Sequence, residues 1–257
     1  MTWQQCQAVI SRRSELPHGH ILLGLKAPPV AARARPGQFL HVRCGGDGWP
    51  LLRRPFSLAG ILPAEGEVEL LVRRVGKGTA WLASQPVGQV LDVLGPLGNG
   101  FPRPWQKQKQ GDLLGVAGGV GVAPLVPALL EAARTGWDVG LLLGAQDAPG
   151  LLLVERLRAS GIDVSTCTED GSYGRQGLVT ELLAERLPGA SLVFACGPPG
   201  MLRVVREMTT AVECYFSLEE RMACGVGACL GCACQSGDGY HLVCRDGPVF
   251  SAREVQL

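Results

Sequence analysis

The chain has 257 residues, 46% of them hydrophobic, and its 24 Lys and Arg nearly balance 23 Asp and Glu. That is ample apolar content for one large or two to three small cores, and a net charge of +1 with no basic block argues against a nucleic-acid partner. No apolar run approaches the roughly 18 residues of a membrane span, and the start MTWQQCQAVISRRSELPHGH lacks a charged stretch leading into an apolar one, so a cytoplasmic protein is predicted.

The first hundred or so residues read as short β-segments punctuated by Gly and Pro: ILLGLKAP, GQFLHVRC, RPFSLAG, VELLVRRVG and QVLDVLGPLG. Their spacing predicts a small antiparallel barrel over residues 1–102. Within it, RRPFSL (53–58) sets a guanidinium, an aromatic ring and a hydroxyl in close succession, as a phosphate and a flavin ring require. A strand with Arg outside and Phe inside looks the same. VRRVGKGTAWL (72–82) shifts the balance, because Gly76, Gly78 and Thr79 before a helical start offer N–H groups and a hydroxyl to a pyrophosphate. Together the two segments predict an FAD site.

FPRPWQKQKQGD (101–112) is polar and proline-bearing, and suits a linker or insertion. From Leu113 apolar runs alternate with amphipathic segments, which predicts an α/β domain with a parallel sheet over 103–212. GVAGGVGVAPLVPALL (115–130) is a strand, a glycine turn and a helix, and Gly118, Gly119 and Gly121 would let the backbone approach a dinucleotide. It departs from the G-x-G-x-x-G pattern, and alone is equally an ordinary βα turn. CGPPGM (196–201), after the apolar SLVFA, is predicted to face it at the carboxyl end of the sheet, where open α/β sheets bind ligands. Asp147 and Glu169 would repel a 2′-phosphate, and no Arg pair stands nearby to bind one, which favours NAD over NADP.

Residues 213–257 lose helical periodicity and are rich in Gly and Cys, with too few hydrophobic side chains to close a core unaided. A metal centre is therefore predicted to hold them. ERMACGVGACLGCAC (220–234) with the later Cys244 gives C-x4-C-x2-C-x11-C at Cys224, Cys229, Cys232 and Cys244. Its first intervals match the plant-type [2Fe–2S] pattern, although the last cysteine is unusually near. Glycines 225, 227 and 231 would let N–H groups turn toward sulfur. A zinc ribbon would pair two short C-x2-4-C knuckles, which this segment lacks. Cys234 is read as a buried thiol, as are most of the scattered Cys6, Cys44, Cys167, Cys196 and Cys214. No nucleophilic triad is present, the four histidines are not in metal spacing, and His18 and His20 read as loop residues.

In the order RPFS, VGKGT, GGVGVAP, CGPPGM and C-x4-C-x2-C…C, the chain resembles the iron–sulfur flavoprotein electron-transfer subunits of type B dihydroorotate dehydrogenases, within the ferredoxin–NADP reductase superfamily. EDGSYGRQGLVT (169–180) adds to the likeness. The resemblance implies FAD on Arg54, Pro55, Phe56, Ser57, Leu71, Val72, Arg73, Gly78 and Thr79, with a largely backbone contact at Val72, where family members often carry Tyr. It also implies NAD at Gly118, Gly119, Gly121, Cys196 and Gly197, and a [2Fe–2S] cluster on Cys224, Cys229, Cys232 and Cys244. The implied partner is an FMN-containing catalytic subunit that oxidises dihydroorotate in pyrimidine biosynthesis, in a complex with two copies of each subunit. Rival readings are a related subunit of a sulfhydrogenase or electron-bifurcating transhydrogenase, and a non-catalytic redox-sensing or zinc-stabilised binding module.

Overall fold

The computed structural model describes residues 3–46, 49–107, 111–237 and 239–257. Strands β1 (Gln4–Leu16), β2 (His20–Lys26), β3 (Phe39–Val42), β4 (Arg54–Leu62), β5 (Glu67–Arg73) and β6 (Val90–Leu97) close an antiparallel barrel in the order β1-β2-β5-β4-β3-β6. Leu23, Leu25, Leu40, Leu58, Leu70 and Val93 fill its interior. A short helix, α1 (Pro28–Ala31), and α2 (Lys77–Ser84) add Val30, Leu82 and Ala83 to that core.

Five of these strands match the segments expected from the sequence; β1, the longest, does not. Its fully buried side chains are Ala8 and Ile10, and the remainder is largely Gln, Ser, Arg and Glu. Pairing with β2 along one edge and β6 along the other makes it a strand, so tertiary context outweighs weak local propensity.

The second body is a seven-stranded sheet. Strands β7 (Asp112–Gly118), β8 (Asp138–Ala145), β9 (Asp163–Thr168), β10 (Arg175–Gln176), β11 (Leu192–Cys196) and β12 (Glu213–Ser217) are parallel. Helices α3 (Val126–Arg134), α4 (Val154–Arg158), α5 (Val179–Arg186) and α6 (Pro199–Met208) connect them. β11 is buried at every position and β8 along its middle, which is why their apolar runs are continuous rather than alternating. The strand β12, which the sequence reading gives to the cysteine-rich segment, pairs with β11 inside this sheet.

The segment 101–112 is not a simple polar connector. Phe101 and Trp105 are buried, and the Phe101 ring stacks on Phe194 of β11 at 4.3 Å between centroids. Residues 108–110 of that segment lie outside the described residues. The polar letters of the stretch mask two large aromatics that dominate its packing.

The cysteine-rich tail contains a hairpin, β13 (Ala233–Ser236) with β14 (Gly239–Leu242), and then β15 (Val249–Ser251), which joins the sheet antiparallel to β12. Leu242, Val243, Phe250 and Val255 share one buried cluster with Phe39 and Leu97 of the barrel and Val193 and Phe216 of the sheet. The tail thus does not rely on a metal alone, because both neighbours lend it core. Asn99 Nδ2 donates to the Asp246 carbonyl at 2.8 Å, and the Asn99 N–H to that of Gly247 at 2.6 Å, fastening the tail to the end of β6. No helix among the described residues is long and apolar enough to cross a membrane.

Phe101→Ala is expected to destabilise the protein by about 3–5 kcal/mol through loss of the stacked, buried ring. Denaturant unfolding followed by flavin fluorescence checks this; a change within about 0.5 kcal/mol would fit a surface linker instead.

Candidate functional site

Three separated segments meet at one end of the barrel. Arg54–Ser57 open β4, Leu71–Arg73 close the neighbouring antiparallel β5, and Gly78 and Thr79 lie in the first turn of α2. The Arg54 side chain runs over Gly78, where a Cβ would stand 3.2 Å from Arg54 Cγ and Nε. Its guanidinium donates to the carbonyls of Leu52 (2.8 Å) and Arg53 (3.1 Å). A fixed cation beside the unpaired N–H groups of a helix start is a combination that favours phosphate.

Thr79 differs from the expectation. Its Oγ1 accepts from the N–H groups of Val75 (2.9 Å) and Gly76 (3.1 Å) and donates to the Gly76 carbonyl (3.0 Å). The hydroxyl shapes the loop, leaving backbone N–H groups for an anion. Phe56, Leu71 and Val72 are buried, Ser57 half-buried and Arg73 exposed. Val72 points into the barrel core, so its backbone is what it offers outside. Leu71 instead belongs to the cluster that includes Val122 and Leu125, which sets this end of the barrel against the sheet domain.

In the sheet, order β10-β9-β8-β7-β11-β12-β15 means that the chain leaves β7 toward β8 and returns on its other side at β11. The crevice beyond β7 and β11 is the topological switch point. Gly118, Gly119 and Gly121 lie at one lip, Cys196 and Gly197 at the other. The lips touch: a Cβ on Gly121 would stand 2.3 Å from the Cys196 carbonyl oxygen, so only glycine permits this approach. The Cys196 thiol itself is buried, and burial, with the Glu219 carboxylate, holds its pKa well above the ordinary range. It is a neutral wall rather than a presented nucleophile. Asp147, just past β8, accepts from the Gly150 N–H at 3.0 Å and lies 2.8 Å from His18 Nε2 of the barrel. His18, read as a loop residue, thus ties the two bodies together.

The four cysteines of the tail fall into two pairs. The Cys229 N–H donates to Cys224 Sγ at 3.4 Å, as do those of Ala228 (3.3 Å) and Val226 (3.5 Å). The Cys244 N–H donates to Cys232 Sγ at 3.4 Å, and the Gly227 N–H to Cys244 Sγ at 3.1 Å. Burial would raise the Cys224 pKa, but these N–H groups outweigh it and bring it to about 6. Burial, reinforced by Cys232, pushes that of Cys244 up to about 12. Four thiolates so close would repel one another without cations among them. Among the described residues, no three Cys, His, Asp or Glu side chains converge on one point. Two pairs ringed by N–H donors suit a dinuclear iron–sulfide core with two thiolates per iron. The residues present therefore fit the predicted cluster. Cys234 stays outside the set, half-buried in β13 opposite His241.

One participant escaped the sequence reading. Gly225, at φ +72°, packs on His41 of β3, whose Nδ1 would be 2.5 Å from a Cβ there. His41 in turn is paired with Pro55 of the RPFS motif. Its signal was faint, because all four residues of β3 are buried and no alternation marks the imidazole.

Family models match the chain in the same order. An oxidoreductase FAD-binding domain matches residues 8–101, an oxidoreductase NAD-binding domain 116–207, and the iron–sulfur cluster binding domain of dihydroorotate dehydrogenase B 219–256. The NAD(+)-type dihydroorotate dehydrogenase B electron transfer subunit of Bacillus velezensis is 40% identical, over 99% of this chain and 100% of its own. The chain belongs to this family of electron transfer subunits. The Geobacillus kaustophilus member is 42% identical over 91% of this chain and 92% of its own. A solved structure of an NADH-dependent reduced ferredoxin–NADP oxidoreductase, described for flavin-based electron bifurcation, superposes with a TM-score of 0.86 at 28% identity. It covers 97% of this chain and 89% of that one. A ferredoxin–NADP+ reductase from Neisseria gonorrhoeae, TM-score 0.64 at 21% identity, over 79% of this chain and 89% of its own, shares the fold. The chain is thus an oxidoreductase electron transfer subunit with FAD-, NAD- and iron–sulfur-binding domains.

Gly121→Ala, by forcing apart the two lips of the crevice, is expected to raise KM for NADH about tenfold or more while flavin and iron contents hold. Steady-state NADH-to-dye kinetics check this, and an unchanged KM would place the nicotinamide elsewhere.

Proposed function

We propose that this subunit carries electrons between NAD(H) and an FMN-containing dihydroorotate dehydrogenase catalytic subunit, in a complex with two copies of each subunit, in the cytoplasm. The observation that carries this reading is the seating of the cysteine loop on the flavin barrel, with Gly225 against the strand that pairs with RPFS. FAD supplies two-electron exchange with nicotinamide, and a [2Fe–2S] cluster supplies one-electron relay.

The chain's own residues bind and orient these groups. Arg54 and the first turn of α2, with Gly78 and Thr79, hold the FAD pyrophosphate. Pro55, Phe56, Ser57, Leu71, Val72 and Arg73 line the rest of the flavin site. Gly118, Gly119, Gly121, Cys196 and Gly197 frame the nicotinamide, and the buried Cys196 helps keep water away from it. Cys224, Cys229, Cys232 and Cys244 ligate the cluster. Exposure of Cys229 and of Leu230 beside it supports electron exit at this edge of the loop, where the catalytic subunit would dock.

A second reading, a subunit of an electron-bifurcating oxidoreductase, draws on the TM-score of 0.86. The higher identity of about 40% to dihydroorotate dehydrogenase B subunits favours the first. Co-purification from the native host separates them by the enzyme that accompanies the chain.

Cys229→Ser is expected to lower electron delivery to the catalytic subunit by about 100-fold or more and to keep NADH-to-dye turnover within about threefold. Iron analysis with both assays checks this. Unchanged iron content and unchanged delivery would remove Cys229 from the ligand set.

A further inference from the structure

The His41 imidazole is fully buried, and neither ring nitrogen has a hydrogen-bond partner among the described residues. Leaving such a group unsatisfied is costly, so its presence calls for an explanation. An aliphatic side chain would fill this place at lower cost. Its surroundings are specific. One neighbour is the Arg53 backbone, directly before the flavin motif, and another is the Cys224 backbone in the cluster loop. Both backbone segments lie close enough to act on the ring, yet neither forms a hydrogen bond of ordinary geometry with it. Gly225 lies flat against Nδ1, and any Cβ there would collide. Arg53 is fixed in turn, donating to the Asp92 carbonyl at 2.9 Å and carboxylate at 2.7 Å.

Whatever its charge, the ring keeps at least one N–H to donate.

We propose that His41 is a positioning residue that couples the flavin strand to the cluster loop, its N–H orienting the Cys224–Gly225 peptide and thereby the N–H groups that surround the Cys224 sulfur. The inference rests on the cluster assignment made above. N–H groups around thiolate sulfur tune the potential of an iron–sulfur centre. A peptide that turns away when the imidazole is lost would change both that potential and the electronic path from the barrel. Each transfer along the path moves one electron from reduced flavin to oxidised cluster, with NADH as the source of the electron pair.

The test uses the holoprotein with FAD and cluster, comparing wild type with His41→Leu, which fills the space without a donor, and His41→Gln, which restores one. Cluster reduction by NADH is followed by stopped-flow absorbance and divided by the NADH-to-dye rate of the same preparation. Electron paramagnetic resonance and a redox titration report the reduced cluster directly. For His41→Leu the ratio is expected to fall about tenfold or more, with a shifted resonance spectrum and midpoint potential, and His41→Gln to recover most of each. Loss of iron in the Leu variant alone would also support the proposal. An unchanged ratio, spectrum and potential in His41→Leu, or equal defects in both variants, would overturn it. A wild-type protein with no iron–sulfur resonance would instead overturn the cluster assignment, and this inference with it.

Discussion

Gly225 lies in van der Waals contact with the His41 imidazole, and that contact brings a cysteine loop onto the outside of a flavin barrel. The constraint is steric. At φ +72° and with an imidazole nitrogen where a Cβ would be, only glycine holds the loop so close. Electron transfer between two bound groups depends on a short, fixed separation, so the backbone must be clamped rather than tethered. The clamp has further parts: Asn99 bonded to the carbonyls of Asp246 and Gly247, and β15 paired to β12. The tail is bound to the barrel on one side and to the nucleotide sheet on the other.

The same economy of close contact governs the nucleotide crevice. Parallel strands β7 and β11 pair side by side, the chain leaves them toward opposite sides of the sheet, and the Gly121 backbone approaches the Cys196 carbonyl. The His18–Asp147 contact and the pairing of Arg156 with the buried Glu69 cross from sheet to barrel. The exposed first pair adds little stability; in the second the buried Glu69 carboxylate is shared between Arg156 of the sheet domain and Arg12 of the barrel, at 3.3 Å from the latter. The opening of β4 and the close of β5 thereby lie at one junction, against both the sheet and the tail.

Much of this was legible in the sequence. RPFS, GKGT, GGVG and CGPPG read correctly as strand starts and turns, because glycine and proline constrain the backbone locally. The C-x4-C-x2-C intervals likewise reported a tight loop before any fold was known. What escaped depends on partners distant in the chain. β1 looked unremarkable because its hydrogen bonds lie with β2 and β6, and Phe101 and Trp105 were hidden in a polar stretch until β11 supplied Phe194. The tail reads from sequence as held by a metal centre, because the residues that complete its core, Phe39, Leu97 and Phe216, lie outside it. The Thr79 hydroxyl, which the sequence offers to a phosphate, accepts from the Val75 and Gly76 N–H groups of the α2 loop, and a sequence does not show which partner is nearer. His41 carries no signal in the sequence, because a lone imidazole in an otherwise apolar strand makes no pattern.

The central claim is that one folded chain holds a flavin and an iron–sulfur cluster in electronic contact. Anaerobic reductive titration of the purified holoprotein with NADH and then dithionite, followed by absorbance and electron paramagnetic resonance, tests it most directly. The account predicts uptake of about three electrons per chain, two at the flavin and one at a cluster that gives a spin signal on reduction. Uptake of about two electrons with no such signal, in protein that is folded and still passes electrons to its catalytic partner, would contradict it.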